Sequence, residues 1–221
     1  MKDIHENLHK RINMFKEKPV FYVDFDNTLW NTQKVYVETY NRLLKQDANW
    51  EDNMDWNFKD VCPIVPYKGF ESDMFSTIIW EMIDAKYHHP DMSVGDYYYE
   101  GALDFINNMV EVGEVILLTV GSDANIYNKG KYVEKTLSKK LGKLYIAMED
   151  AFHLKSRINM ENAMIIDDRT DILKASNALY KVRFGKEFDW NRDWNPNGID
   201  TFSCETWEDV YKLVGRLRDE K

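Results

Sequence analysis

The sequence predicts an α/β protein with a parallel sheet, and two observations carry that reading. Short apolar runs rich in β-branched and aromatic residues recur along the chain, each ending abruptly in polar residues. They are Val20-Phe21-Tyr22-Val23, Val115-Ile116-Leu117-Leu118-Thr119, Ala163-Met164-Ile165-Ile166 and, more weakly, Ala178-Leu179-Tyr180-Lys181-Val182. Helical periodicity fills the intervals, over 101–112, 124–141 and 170–177, and returns over 205–218. Strands alternating with helices imply right-handed βαβ crossovers. The expected core is therefore a Rossmann-like three-layer α/β/α arrangement, with helices on both faces of the sheet.

At the N-terminus, Ile4, Leu8, Ile12 and Phe15 are spaced for an amphipathic helix over 3–17 that ends before Pro19 and packs on the core. The first strand follows at once. From Asn31 to Gly95 the alternation stops: helical patterns occupy 33–46 and 70–87, and no buried strand is legible. This stretch holds more aromatic residues than two surface helices need, including Tyr36, Tyr40, Trp56 and Tyr67, so it reads as a helical insertion with its own apolar interior. The core is expected over 1–30 and 96–221 and the insertion, placed like a lid, over 31–95, with hinges near 30–33 and 94–101.

Composition narrows the functional classes. A chain of 221 residues, 44% hydrophobic and 30% charged, has the proportions of a folded domain with room for an insertion. Against 38 Asp and Glu stand 29 Lys and Arg, a net charge of −9, which disfavours extended nucleic acid as a partner. Cys62 and Cys204 have neither metal-ligand spacing nor the density of a disulfide scaffold, as suits a reducing compartment. The charged N-terminus leads into no apolar segment, and no run approaches the ~20 apolar residues of a membrane span, so a cytoplasmic address without a membrane partner is expected.

The chemistry lies at the strand ends, where open parallel sheets bind ligands. Asp24 and Asp26 end the first strand, and Asn27 and Thr28 supply the turn that would aim both carboxylates into one crevice. An isolated Asp-x-Asp is ordinarily a turn former. Here a second acidic pair, Asp167-Asp168, ends another apolar strand, and four carboxylates at adjacent strand ends repel unless a cation neutralises them. Oxygen ligands without a Cys or His cluster select Mg²⁺ over zinc. Thr119, followed by Val120-Gly121-Ser122 at a turn into a helix, offers a hydroxyl and backbone N–H groups to a phosphate oxygen; read alone, it is an ordinary helix-capping region.

Asp24-Phe25-Asp26-Asn27-Thr28-Leu29, Thr119 after an apolar run, a downstream Lys, and Asp167-Asp168 after another apolar run resemble the four ordered motifs of the haloacid-dehalogenase-like phosphohydrolases. The long helical stretch after the first motif resembles a C1 cap. Glu100-Gly101-Ala102, Lys155 and Ile165-Ile166-Asp167-Asp168-Arg169 are similar to the 5′(3′)-deoxyribonucleotidase branch. The resemblance implies Asp24 as nucleophile and Asp26 as general acid and base. It further implies Mg²⁺ held by the Asp24 side chain, the Asp26 carbonyl and Asp168, supported by Asp167. Thr119 and Lys155 would bind the transferring phosphoryl group, with Val120 and Asn27 adding contacts. Lys129, Lys131, Lys135, Lys139, Lys140 and Lys143 are rivals to Lys155 between the second and fourth motifs; most of them read as a solvated helix face, and Lys143 is the reserve.

A lid lined by rings would select a planar leaving group, which points to Phe58, Phe70 and Trp80 as substrate contacts and to Tyr97-Tyr98-Tyr99 as residues that could close the pocket; the plainer role of these rings is packing. The histidines show no ligand spacing, and the Trp-rich stretch 188–196 reads as a surface loop before the terminal helix. The leading expectation is a Mg²⁺-dependent phosphomonoesterase acting on a deoxyribonucleoside 5′- or 3′-monophosphate. The alternatives are the same chemistry on a sugar phosphate or a nucleic-acid 3′-phosphate end, and a catalytically silent fold that binds a phosphate or a partner.

Overall fold

The structure is a computed structural model, and it describes residues 2–55, 58, 60–63, 72–86, 97–137, 143–147, 155, 157–196 and 200–219. Helix α1 (Lys2–Glu17) leads into β1 (Val20–Val23). The insertion contributes α2 (Thr32–Leu44), a 3-10 turn (Trp50–Asp52) and α3 (Ser72–Lys86). Then come α4 (Ala102–Val112), β2 (Glu114–Val120), α5 (Asp123–Thr136), β3 (Lys143–Ala147), β4 (Met164–Asp167), α6 (Thr170–Ala175), β5 (Tyr180–Phe184), β6 (Thr201–Cys204) and α7 (Trp207–Asp219).

The six strands among the described residues are all parallel, in the order β3-β2-β1-β4-β5-β6. Strand order reverses between β1 and β4, and a crevice opens beyond the carboxyl ends of strands at such a point. Side-chain alternation divides the interior into two layers. Phe21, Val23, Val115, Leu117, Met164 and Ile166 pack with Phe15 of α1, Phe105 and Ile106 of α4, and Val210 and Val214 of α7. Tyr22, Ile116, Leu118 and Ile165 face the other way, against Ile172 and Leu173 of α6. Phe15 fixes α1 through edge-on contacts to Phe21 at 5.7 Å and Tyr180 at 5.0 Å.

Two strands go beyond the expected set, and both are short edges. β3 follows a lysine-rich stretch over which helical periodicity extends to residue 141, whereas α5 ends at Thr136. β6 spans four residues, Thr201–Cys204, too short for alternation to register. β5 lies two residues downstream of the strand expected over 178–182, at Tyr180–Phe184.

The insertion's apolar interior is continuous with that of the core, instead of standing by itself: Tyr36, Phe58, Ile79 and Ile83 share one buried cluster with Phe25, Trp30 and Tyr98. The two expected hinges explain this, because they pair with each other. Trp30 and Tyr98 form an antiparallel bridge, Asn31 N–H donates to the Tyr97 carbonyl at 2.7 Å, and Tyr99 N–H donates to the Leu29 carbonyl at 2.9 Å. Trp30 then packs on Phe25, Tyr97 and Tyr132, bridging the two regions.

Candidate active site

β1 delivers Asp24 to the crevice. Val23 pairs with Leu117 on one side and Ile166 on the other, and the Asp24 N–H donates to the Ile166 carbonyl at 3.0 Å, so Asp24 lies next to Asp167. The backbone then turns at once, with the N–H groups of Leu29 and Trp30 donating to the Phe25 carbonyl at 3.1 and 2.9 Å. Asn27 takes the left-handed conformation the turn needs (φ 53°), one that Asn tolerates better than most residues. Its side-chain oxygen accepts from the Gln33 N–H at 3.1 Å, so that group serves the start of α2. From beneath, the buried Trp207 indole donates to the Thr28 carbonyl at 3.1 Å. The turn brings Asp26 back to the crevice, where Thr32 Oγ1 donates to its carboxylate at 2.8 Å.

Asp24, Asp167 and Asp168 are buried, and each offers a carboxylate oxygen within 4.8 Å of the others. Lys155 Nζ lies 2.6 Å from Asp24 Oδ1 and 2.8 Å from Asp167 Oδ2. The other Asp167 oxygen accepts from the Arg169 N–H at 2.9 Å. Asp168 Oδ2 accepts from the Trp190 indole at 3.0 Å, while Asp168 Oδ1 is buried and has no hydrogen-bond partner among the described residues. Burial pushes the Asp24 carboxyl up to about 7 against the pull of Lys155, and burial together with Asp167 and Asp24 raises Asp168 well above the usual range. Burial works against the Lys155 ammonium, but Asp167 and Asp24 outweigh it and hold its proton more tightly than an ordinary lysine does.

Lys129 is the correction to the expected solvated lysine face. It is 2% exposed, and its ammonium pairs with the Asp26 carboxylate while lying 3.1 Å from Thr119 Oγ1 and 3.2 Å from the Val120 carbonyl. Sequence carries a signal for it: Ile126, Lys129 and Val133 share the buried stripe of α5, where a surface lysine has no place. Lys131, by contrast, is exposed and pairs with Glu134. Lys143 opens β3, and its side chain lies outside the described residues, as do Lys139 and Lys140.

Among the described residues, four carboxylates meet two ammonium groups, Lys129 and Lys155, so ionising all four would leave two negative charges without a protein partner, and burial resists that ionisation at Asp24 and Asp168. That imbalance, the unpartnered Asp168 Oδ1 and the all-oxygen donor set fit a hard divalent cation. Thr119 is buried at the end of β2, opposite the Asp24 turn. Gly121 keeps the corner open for Asn125, whose side chain would collide with a Cβ at that position.

The expected substrate contacts in the insertion divide. Phe58 is buried with its ring face stacked on Tyr36 at 4.0 Å, so its face is spent on packing. Trp80 is half-buried, 5.5 Å from Tyr36, and Phe70 lies outside the described residues. Nearer the site is Asp84 of α3, whose carboxylate accepts from Asn125 Nδ2 at 2.6 Å and ties the insertion to the first turn of α5.

Other proteins share this arrangement of elements. A haloacid dehalogenase-like family hydrolase from Xanthomonas campestris superposes with a TM-score of 0.58 at 13% identity, over 91% of this chain and 96% of that one. A predicted phosphatase from Clostridium acetobutylicum gives 0.57 at 11% identity, over 92% and 99%. The chain has the fold of the haloacid-dehalogenase-like hydrolases. CbbY from Rhodobacter sphaeroides, solved in complex with phosphate, shares this fold with a TM-score of 0.54 at 13% identity, over 87% and 96%. No protein-family model matches the sequence, and no curated protein sequence matches it. Among the described residues, no helix is long and apolar enough to cross a membrane, and Cys62 and Cys204 are buried free thiols.

Proposed function

We propose that this protein is a cytoplasmic, Mg²⁺-dependent phosphomonoesterase that hydrolyses a deoxyribonucleoside 5′- or 3′-monophosphate through an aspartyl-phosphate. One observation carries the reading: Asp24, Asp167 and Asp168 converge in a crevice beside Asp26, with only two lysines among the described residues to balance the four carboxylates once they ionise. Asp24 attacks phosphorus in line, and the ester P–O bond breaks as Asp26 gives its proton to the departing alkoxide. Water then attacks phosphorus and loses a proton to Asp26; the bond to Asp24 breaks, and phosphate leaves. Lys155 and Thr119 bind the transferring phosphoryl oxygens, while Lys129 and Thr32 hold the Asp26 carboxylate in the crevice. The Asp24 and Asp168 side chains and the Asp26 carbonyl, with Asp167 in support, would hold Mg²⁺, which when bound would supply Lewis-acid neutralisation of those oxygens.

Residues 31–95 act in this reading as a cap of the C1 type, with Trp80 as the described aromatic side chain offered to a planar leaving group. The net charge of −9 favours a small nucleotide over a polynucleotide. Hydrolysis of p-nitrophenyl phosphate with and without Mg²⁺, by the native protein and by Asp24→Asn, tests the chemistry: activity is expected only for the native protein with metal. A panel of 5′- and 3′-monophosphates, ribo and deoxy, run beside sugar phosphates tests the substrate. A higher kcat/KM for any sugar phosphate than for every nucleotide overturns the nucleotide assignment.

A further inference from the structure

The Trp-rich loop after β5 reaches the carboxylate cluster. Trp190 Nε1 donates to Asp168 Oδ2 at 3.0 Å, and the neighbouring Asn191 Nδ2 donates to the Asp168 backbone carbonyl at 3.2 Å. Asn191 is 1% exposed, and its side-chain oxygen accepts from the Phe188 N–H at 2.8 Å, closing the loop on itself. The Trp190 ring lies flat on Phe188, with centroids 4.2 Å apart and planes 6° from parallel. The loop is also tied down at both ends: Asp193 accepts from Thr170 Oγ1 at 2.7 Å, and Asp189 N–H donates to the Met54 carbonyl at 3.2 Å. The indole is therefore held by packing and by backbone, independently of the carboxylate it meets.

We infer that Trp190 is a positioning residue that fixes the Asp168 carboxylate for metal binding, an inference that rests on the metal-dependent reading above. A carboxylate on a short side chain rotates about χ2 at little cost, and rotation would exchange its two oxygens. One directed N–H on Oδ2 stops that rotation and leaves the unpartnered Oδ1 as the atom free to take a cation. Partners of this kind, one bond removed from the ion, orient the ligand before the ion arrives and raise its affinity. Asn191 does the same for the backbone of Asp168.

The test is the Mg²⁺ dissociation constant by calorimetry for the native protein, Trp190→Phe and Trp194→Phe. Phenylalanine keeps a ring against Phe188 and removes the N–H together with part of the indole, a loss of ring that the Trp194→Phe control shares, so Trp190→Phe is expected to weaken Mg²⁺ binding about 10- to 100-fold. Trp194 belongs to the same loop, but its indole donates to the Phe202 carbonyl at 2.9 Å, so its variant should bind Mg²⁺ as the native protein does. Should Trp190→Phe fail to fold, ¹⁵N spectra of the native protein still decide: the Trp190 indole N–H signal should shift on Mg²⁺ addition while that of Trp194 stays. Native affinity in Trp190→Phe, or an unmoved Trp190 signal in a protein that binds Mg²⁺, overturns the inference. A native protein that binds no Mg²⁺ instead overturns the metal-dependent reading beneath it.

Discussion

Lys155 donates to Asp24 at 2.6 Å across 131 positions of sequence, and both side chains are buried. The same ammonium serves Asp167 at 2.8 Å, so one lysine compensates the ends of β1 and β4 together. Lys155→Met removes it and leaves two buried carboxylates facing each other. A loss of about 3–5 kcal/mol in urea unfolding is expected, as for other buried pairs that lose one partner. Mg²⁺ should restore part of that loss, because it neutralises the same two groups.

Lys129 stands differently, because its partner Asp26 is 23% exposed and water can take over part of the interaction. Lys129→Met should unfold at a urea concentration closer to that of the native protein than Lys155→Met does. Its effect belongs to catalysis: with Asp26 no longer held and the cation beside Thr119 gone, kcat should fall about 10²- to 10³-fold. Lys131→Met, on the exposed side of the same helix, should leave kcat unchanged.

Metal-free stability should depend on pH through Asp24. Its carboxyl, raised by burial from 3.8 to about 7, still holds a proton in the folded protein at pH values where the unfolded chain has released it. Stability of the metal-free protein therefore falls as pH rises from about 4 to about 7, and Asp24→Asn should make that slope shallower, the remainder coming from Asp168, which burial raises in the same direction. Thermal melts across this range check both, and a metal-free native melt that rises over the interval contradicts the burial argument.

The bond from Asp84 to Asn125, at 2.6 Å, joins the insertion to the helix that follows Thr119. Asp84→Ala should speed amide exchange along α3 and raise KM by about tenfold, the scale of one hydrogen bond to a charged group, with a smaller change in kcat. Unchanged exchange in α3 would show that the insertion is held by its apolar contacts alone.

The central strands and the acidic strand ends were legible because each obeys a local rule. A buried parallel strand is a continuous apolar run, and Asp24, Asp26, Asp167 and Asp168 interrupt such runs at their ends. β6 escaped because four residues of mixed polarity make no such run, whereas β3 does carry one, Leu144-Tyr145-Ile146-Ala147, masked by the lysine-rich stretch that precedes it. Lys129 was legible in principle from the helical stripe of Ile126 and Val133, but a lysine-rich segment invites a solvated reading. Trp190 was not legible at all. No periodicity links a loop residue to a carboxylate 22 positions earlier, and only the packing of the loop between α6 and residues near Met54 brings them together.

In the proposed reaction Asp24 carries the phosphoryl group beside a bound metal. Acid-quenched mass spectrometry of Asp26→Asn after incubation with Mg²⁺ and a good phosphate ester tests it most directly, since this variant should form the intermediate and hydrolyse it slowly. One phosphoryl group is expected on the peptide that contains Asp24, and none when Mg²⁺ is withheld. An unmodified peptide from a variant that still releases the leaving group, or phosphoryl on any other residue, would contradict it.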